Sequence, residues 1–290
     1  MSETEREIAS QPGSWREAAE RSPSVSGVLP QPGERAAAVG CGTSFFIAQA
    51  YAALREAGGA GETDAFAASE FPTARRYDRV VAISRSGTTT EVARLVDGLA
   101  SPVTAIGAVA GTPVLAVADE SIVLEWADER SVVQTRFATT ALALLRSSLD
   151  EDLAAAIADG ERAIVDRLPV DPSRFNHWVF LGHGWTVGLA NEAALKMREA
   201  AQTHTESYPA MEYRHGPVSV AGPTSLVWIL DSSDPAVADD VRAVGATVLT
   251  ASLDPMAELI LIQRTAVALA ATKGLDPDKP RNLTRSVVLS

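Results

Sequence analysis

Cysteine is nearly missing from this sequence: Cys41 is the only one in 290 residues. No disulfide can form within the chain and a cysteine-rich metal cluster is excluded, so a reducing compartment fits. Long apolar runs are missing too, none approaching the roughly 20 residues a membrane span requires. The segment from Met1 to Ser22 is charged and helix-like, without the basic-then-apolar layout of a secretory leader. A cytoplasmic protein with no membrane partner is the expectation. Positive charge is scarce, with 25 Lys and Arg against 37 Asp and Glu, a net charge of −12 and a pI near 4.8. Such a chain repels nucleic acid and anionic surfaces, so any phosphate must be held by a local arrangement, which points to a small ligand. The Gly-x-x-x-x-Gly-Lys-Ser/Thr pattern is absent, and "VGCGTS" at 39–44 lacks the third glycine of a dinucleotide fingerprint. His177, His183, His204 and His215 show no i, i+4 metalloprotease pair, so no metal site is expected.

What is present is a core-forming composition, 46% hydrophobic and 21% charged, enough for one large or two small domains. Short apolar runs alternate with helical stretches. Strands are predicted at 35–40, 64–71 and 79–84, in "VTAIGAV", "VLAVA" and "SIVLEW", and at 177–182, 225–230 and 246–251. Helices are predicted at 44–58, 89–100, near 131–147, near 151–168, at 186–202, after Asp234 and at 257–274. This alternation argues for an α/β fold with parallel sheets and helices on both faces. "VGCGTS" and "LGHGWT" both place Gly-x-Gly between a buried strand and a helix, 142 residues apart. Two related α/β domains, 1–150 and 151–290, are the economical account.

The most unusual stretch is "VVAISRSGTTTEVARLV", Val80 to Val96. Six of the seven residues from Ser84 to Thr90 are Ser, Gly or Thr, set between an apolar run and a helix. In an open parallel sheet, ligands bind at the carboxyl ends of strands, where a helix N-terminus offers unpaired N–H groups to an anion. Ser84, Ser86, Thr88 and Thr89 add hydroxyls, and Gly87 lets the backbone come close. A phosphate monoester would fit; simple helix capping and a turn would use the same residue types.

"CGTS" after a first strand, "DAFAASEF", "ISRSGTTTE", "NEAALKMREAAQTHTESYPAMEYRHGP" and "DKPRNLTRSVVLS" occur in that order. Together they resemble the sugar isomerase (SIS) family, in particular the isomerase half of glutamine:fructose-6-phosphate amidotransferase and stand-alone amino-sugar-phosphate deaminases and isomerases. The resemblance covers about Ala36 to Ser290. It implies two SIS domains, a hexose 6-phosphate ligand and no nicotinamide, flavin or metal cofactor. It assigns phosphate contacts to Ser44, Ser84, Ser86 and Thr89. Arg85 replaces the amidotransferase-like glutamine, either adding positive charge beside the phosphate or pointing to solvent. Sugar neighbours are implied at Gly42, Thr43, Val132, Gln134 and Lys196. Glu199 matches the carboxylate that moves a proton between the first two sugar carbons. His215, in "RHGP", matches a ring-opening histidine that reaches the site from a partner subunit, which implies a homodimer.

Elementary chemistry agrees with those roles. Aldose–ketose exchange takes a proton from beside a carbonyl and returns it one carbon away, which one carboxylate over both atoms can do. A histidine near its own pKa can serve ring opening. Glu192, Lys196 and Glu199 fall on one helix face, although the same segment also reads as a solvent-facing helix with a Glu192–Lys196 pair. His177, His183 and His204 read as structural, and Glu206 and Glu212 flank a loop.

Two departures bear on function. The chain begins Met-Ser-Glu and its one cysteine lies inside the first SIS-like half, so glutamine-dependent ammonia delivery is not expected of it. Arg285 stands in the tail where the amidotransferase pattern has a ring-opening lysine, and arginine neither forms a Schiff base nor carries a proton. The first reading is isomerisation and deamination of an amino-hexose 6-phosphate through Glu199. The second is loss of water from an N-acetylhexosamine 6-phosphate, as in the etherase branch of the family. A sugar-phosphate sensor is the third, although the first 35 residues are too short and acidic for a DNA-binding segment. The tail from Leu275 is expected to close over the site as a lid.

Overall fold

The computed structural model describes residues 1–231 and 235–289. Two compact units emerge from the contacts, and the chain threads them discontinuously. A five-strand unit contains Gly13–Arg130, Gln134–Leu153 and the tail from Thr284; a four-strand unit contains Met1–Pro12, Ser131–Val133 and Ala154–Leu283.

In the five-strand unit, strands β1 (Ala36–Gly40), β2 (Thr63–Ala67), β3 (Arg79–Ile83), β4 (Val103–Gly107) and β5 (Glu120–Val123) form a wholly parallel sheet in the order β2-β1-β3-β4-β5. β1, β3 and β4 are the apolar runs that sheets covered on both faces require. Numbering helices along the chain, α1 (Glu3–Ala9) and α2 (Gln11–Val25) precede β1, and α3 (Thr43–Ala57) follows it and packs on β1 and β2. α4 (Thr90–Gly98) and α5 (Pro113–Val117) cover the opposite face, where Val92, Val96, Val114 and Leu115 meet Val39, Val80, Ala82 and Ala105. α6 (Arg136–Ser147) packs beside α3. One expected strand is corrected: "VLAVA" is the short helix α5, with Pro113 in its first turn, where a missing N–H costs nothing.

The four-strand unit repeats the plan. α7 (Ala154–Val165) leads to β6 (His177–Gly182), then α8 (Thr186–Ala201), β7 (Thr205–Pro209), β8 (Ser225–Ile229), α9 (Pro235–Ala243), β9 (Thr247–Thr250) and α10 (Pro255–Thr272). The sheet is parallel in the order β7-β6-β8-β9. α8 covers β6 and β7, α10 packs on α8 and α7, and α9 lines the other face with Val237, Ala238 and Val241. β7 was not foreseen, because "TESYP" carries little apolar signal and ends on proline. An edge strand tolerates both.

The repeated Gly-x-Gly turns have the same geometry. An added Cβ on Gly40 would lie 2.6 Å from the backbone carbon of Ser44, and one on Gly182 would lie 2.4 Å from that of Thr186. The following glycines, Gly42 and Gly184, have φ of 55° and 54°. In both units the strand must pass so close to the next helix that only glycine fits, and the chain then turns through a left-handed residue. Among the described residues, no helix is long and apolar enough to cross a membrane.

Candidate functional site

In the five-strand unit the chain leaves β1 toward β2 on one side and reaches β3 on the other. The carboxyl ends of β1 and β3 therefore form the switch point at which open α/β sheets bind ligands. The "CGTS" turn emerges from β1 and the "SRSGTT" loop from β3. Gly42 precedes α3, and Thr43 and Ser44 open it; the Ser44 N–H is returned to the carbonyl of Cys41 at 3.2 Å. Ser84 and Ser86 precede α4, and Thr89 is its N-cap residue, with a side chain that makes no capping bond. Ser86 Oγ accepts from the Thr88 N–H at 3.2 Å and the Thr88 hydroxyl at 3.0 Å. Gly87, at φ 62°, lies so tight under α5 that an added Cβ would sit 1.9 Å from Thr112 Oγ1. The Ser84 hydroxyl oxygen and the Gln134 amide oxygen are buried without a hydrogen-bond partner among the described residues, so both are available to a ligand.

Arg85 does not point to solvent: it is 1% exposed. Its guanidinium turns inward, 3.9 Å from the carboxylate of fully buried Glu129, and donates to the carbonyl of Arg285 at 2.9 Å. Arg285 is held in turn by the Asp128 carboxylate and the Glu129 carbonyl. Glu129 closes the start of α6. Its Oε1 accepts from the Thr135 N–H at 2.7 Å, the Thr135 hydroxyl at 2.8 Å and the Arg136 N–H at 2.8 Å, and its Oε2 from the Phe137 N–H at 3.2 Å. A carboxylate at a helix N-terminus is favoured by the helix dipole.

The four-strand unit carries the other expected residues. Glu192, Lys196 and Glu199 share one face of α8, and the solvent-facing reading of that helix is overturned, since Glu192 is 0% and Lys196 1% exposed. Lys196 Nζ lies 3.4 Å from Glu192 and 2.5 Å from Glu199, whose side chain is 19% exposed. The buried ammonium is thus paired with two carboxylates, and only Glu199 opens toward solvent. Such pairing is what makes a buried charge tolerable. Val132 is half-buried in the 131–133 segment, where Ser131 bonds to Thr4 and Glu7 of α1. His215 is exposed on the loop after a 3-10 turn, Glu212–Arg214.

The chain has counterparts among known proteins. No family model matches the chain. Glutamine–fructose-6-phosphate aminotransferase (isomerizing) of Sulfurisphaera tokodaii is 26% identical over 295 residues, covering 88% of this chain and 50% of that protein. The enzyme of the same name from Thermosynechococcus vestitus is 32% identical over 162 residues, 46% of this chain and 26% of its own length. The chain thus spans half or less of these curated relatives. The crystal structure of glucosamine-6-phosphate deaminase from Thermotoga maritima superposes with a TM-score of 0.84 at 24% identity, covering 99% of this chain and 100% of that one. These likenesses agree with the resemblance to the sugar isomerase (SIS) family carried by the sequence motifs.

Sequence reasoning missed Asp128 and Glu129 as anchors of the tail. Glu129 lies six residues before Thr135, too far for a capping-box signature to reveal it. Thr88 also gains a second partner that sequence could not supply, the hydroxyl of Ser286 at 2.7 Å.

Proposed function

We propose that this chain is an SIS-type phosphosugar enzyme that isomerises and deaminates an amino-hexose 6-phosphate of the glucosamine 6-phosphate type. The observation that carries this reading is the Glu192–Lys196–Glu199 row, in which a buried lysine fixes one partly open carboxylate. The deaminase likeness supports the amino-sugar substrate.

In the proposed mechanism the phosphate is held by Ser44, Ser84, Ser86 and Thr89 with the N-termini of α3 and α4, and Gly42, Thr43, Val132, Gln134 and Lys196 border the sugar. Water is displaced from a phosphate by groups already oriented for it, so little reorganisation is needed on binding. His215, supplied by the second subunit of a homodimer, assists ring opening. Glu199 removes the proton from C2 of the open-chain aldehyde and returns it to C1 while a proton passes from the C2 amine to O1, converting the 2-amino aldose to the C2 imine of fructose 6-phosphate. Water then adds to the imine carbon and ammonia leaves, giving fructose 6-phosphate. Arg285 orients the tail through Asp128 and Glu129.

The test is incubation of the pure protein with glucosamine 6-phosphate and, separately, N-acetylglucosamine 6-phosphate, with products followed by mass spectrometry. Ammonia and fructose 6-phosphate are expected from the free amine, falling by about 10²-fold or more in Glu199→Gln, the usual scale for a lost general base. A product lighter by one water from the acetylated sugar would replace this reading with elimination. Binding without turnover of either sugar would make the protein a sensor.

A further inference from the structure

Arg85 stands inside the anion loop, between two of its serines, and its guanidinium reaches the tail. One nitrogen faces Glu129 at 3.9 Å and another donates to the Arg285 carbonyl at 2.9 Å. The planar fork of an arginine can serve two such acceptors at once, which neither glutamine nor lysine does with the same geometry. The tail is fastened to the same loop by its own bonds. The Thr88 and Ser286 hydroxyls meet at 2.7 Å, the Thr90 N–H donates to the Val287 carbonyl at 3.2 Å, and the Leu289 N–H donates to the Thr90 hydroxyl at 2.9 Å. The Arg285 side chain returns to Asp128 and to the carbonyl of Glu129, the residue that faces Arg85. Anion loop, α6 cap and tail thus form one connected polar network, with Arg85 buried at its centre.

We propose that Arg85 is a positioning residue that couples occupancy of the anion loop by a phosphate monoester to docking of the tail, residues 284–289. The proposal rests on the phosphosugar reading above. If a docked tail stiffens the loop that holds the phosphate, thermodynamic reciprocity requires that phosphate also hold the tail down. Removing the guanidinium leaves Glu129 buried without its cation and the Arg285 carbonyl without its donor, so both ends loosen together.

The experiment uses fructose 6-phosphate as the probe, measuring its affinity by calorimetry and hydrogen exchange of residues 284–289 with and without it. In the wild type, the sugar phosphate is expected to slow tail exchange. Arg85→Gln should lose that response and bind about 10-fold more weakly, within the usual range of coupling between sites. Arg85→Lys should recover only part. Deleting residues 284–290 should weaken binding to the same extent, and adding Arg85→Gln to the deletion should cost nothing more. The deletion keeps Arg85 native, so it remains a test if Arg85→Gln fails to fold: undiminished binding without the tail overturns the proposal. Binding by the wild type with no change in tail exchange also overturns it while sparing the phosphosugar reading. Absence of binding by the wild type overturns both.

Discussion

Cys41 begins the "CGTS" turn, and its environment works against reactivity. Burial is the larger influence raising its pKa above the ordinary thiol value, and the negative charge of Glu91 adds to it. A raised pKa means a smaller thiolate fraction at any given pH, and the thiolate is the nucleophile. Iodoacetamide should therefore alkylate Cys41 more slowly at neutral pH than it alkylates an unstructured cysteine peptide, with the rate still climbing at pH values where the peptide has levelled off. Intact-mass spectrometry across pH measures this, and equal rates would show the thiol unshifted. The same scale explains what the sequence hid. Charge ordinarily marks solvent, so Arg85, Glu129, Glu192 and Lys196 give no sign of burial. The shared helix face of Glu192, Lys196 and Glu199 was readable from spacing; the inward turn of Arg85 was not, because its acceptors lie 44 and 200 residues away in the chain.

The strand-turn-helix element that occurs in both units separates two uses of glycine. At Gly182 the constraint is space, because a Cβ would press on the backbone of Thr186, which cannot rotate aside. At Gly184 nothing lies within 4 Å and only the left-handed φ of 54° resists a side chain. Gly182→Ala should therefore cost about 3 kcal/mol, the upper part of the overpacking range, and Gly184→Ala about 1 kcal/mol. Urea unfolding of the two variants would show it, and equal midpoints would contradict the argument. Most elements were legible because β1, β3, β6 and β8 are apolar runs bounded by turns, and because α8 and α10 are long. The exceptions are short. α5 has only five residues, fewer than a helical period needs to show itself, and β7 is an edge strand whose polar face needs no apolar alternation.

The molecule is not cut where its sequence halves meet. The first twelve residues belong to the four-strand unit, where α1 lies on α10 and Asp278 adds to the Ser2–Glu5 capping box at its N-terminus. The Asp278 carboxylate accepts from the Glu3 N–H at 2.8 Å, the Thr4 N–H at 2.7 Å and the Thr4 hydroxyl at 2.6 Å. Burial alone would raise its pKa, but these bonds outweigh it and hold the carboxyl below its ordinary value of 3.8. A lowered carboxyl pKa stabilises the fold fully above that ordinary value and loses its contribution as the pH falls through the folded one. Asp278→Asn should cost about 1 kcal/mol at pH 7, as lost caps do, with the difference from wild type shrinking as the pH falls below the ordinary value of 3.8. Urea midpoints at both pH values would measure it, and a pH-independent difference would point to packing instead. The buried pairing on α8 has a practical corollary as well. Lysine occurs three times in the chain, at Lys196, Lys273 and Lys279, and the last two are exposed. The Lys273 amine itself donates to the Ala201 carbonyl at 2.8 Å, and its partial burial lowers its pKa. Amine-directed labelling followed by peptide mapping thus marks Lys273 and Lys279 on the folded protein, and a mark at Lys196 registers the opening of the helix that carries Glu199.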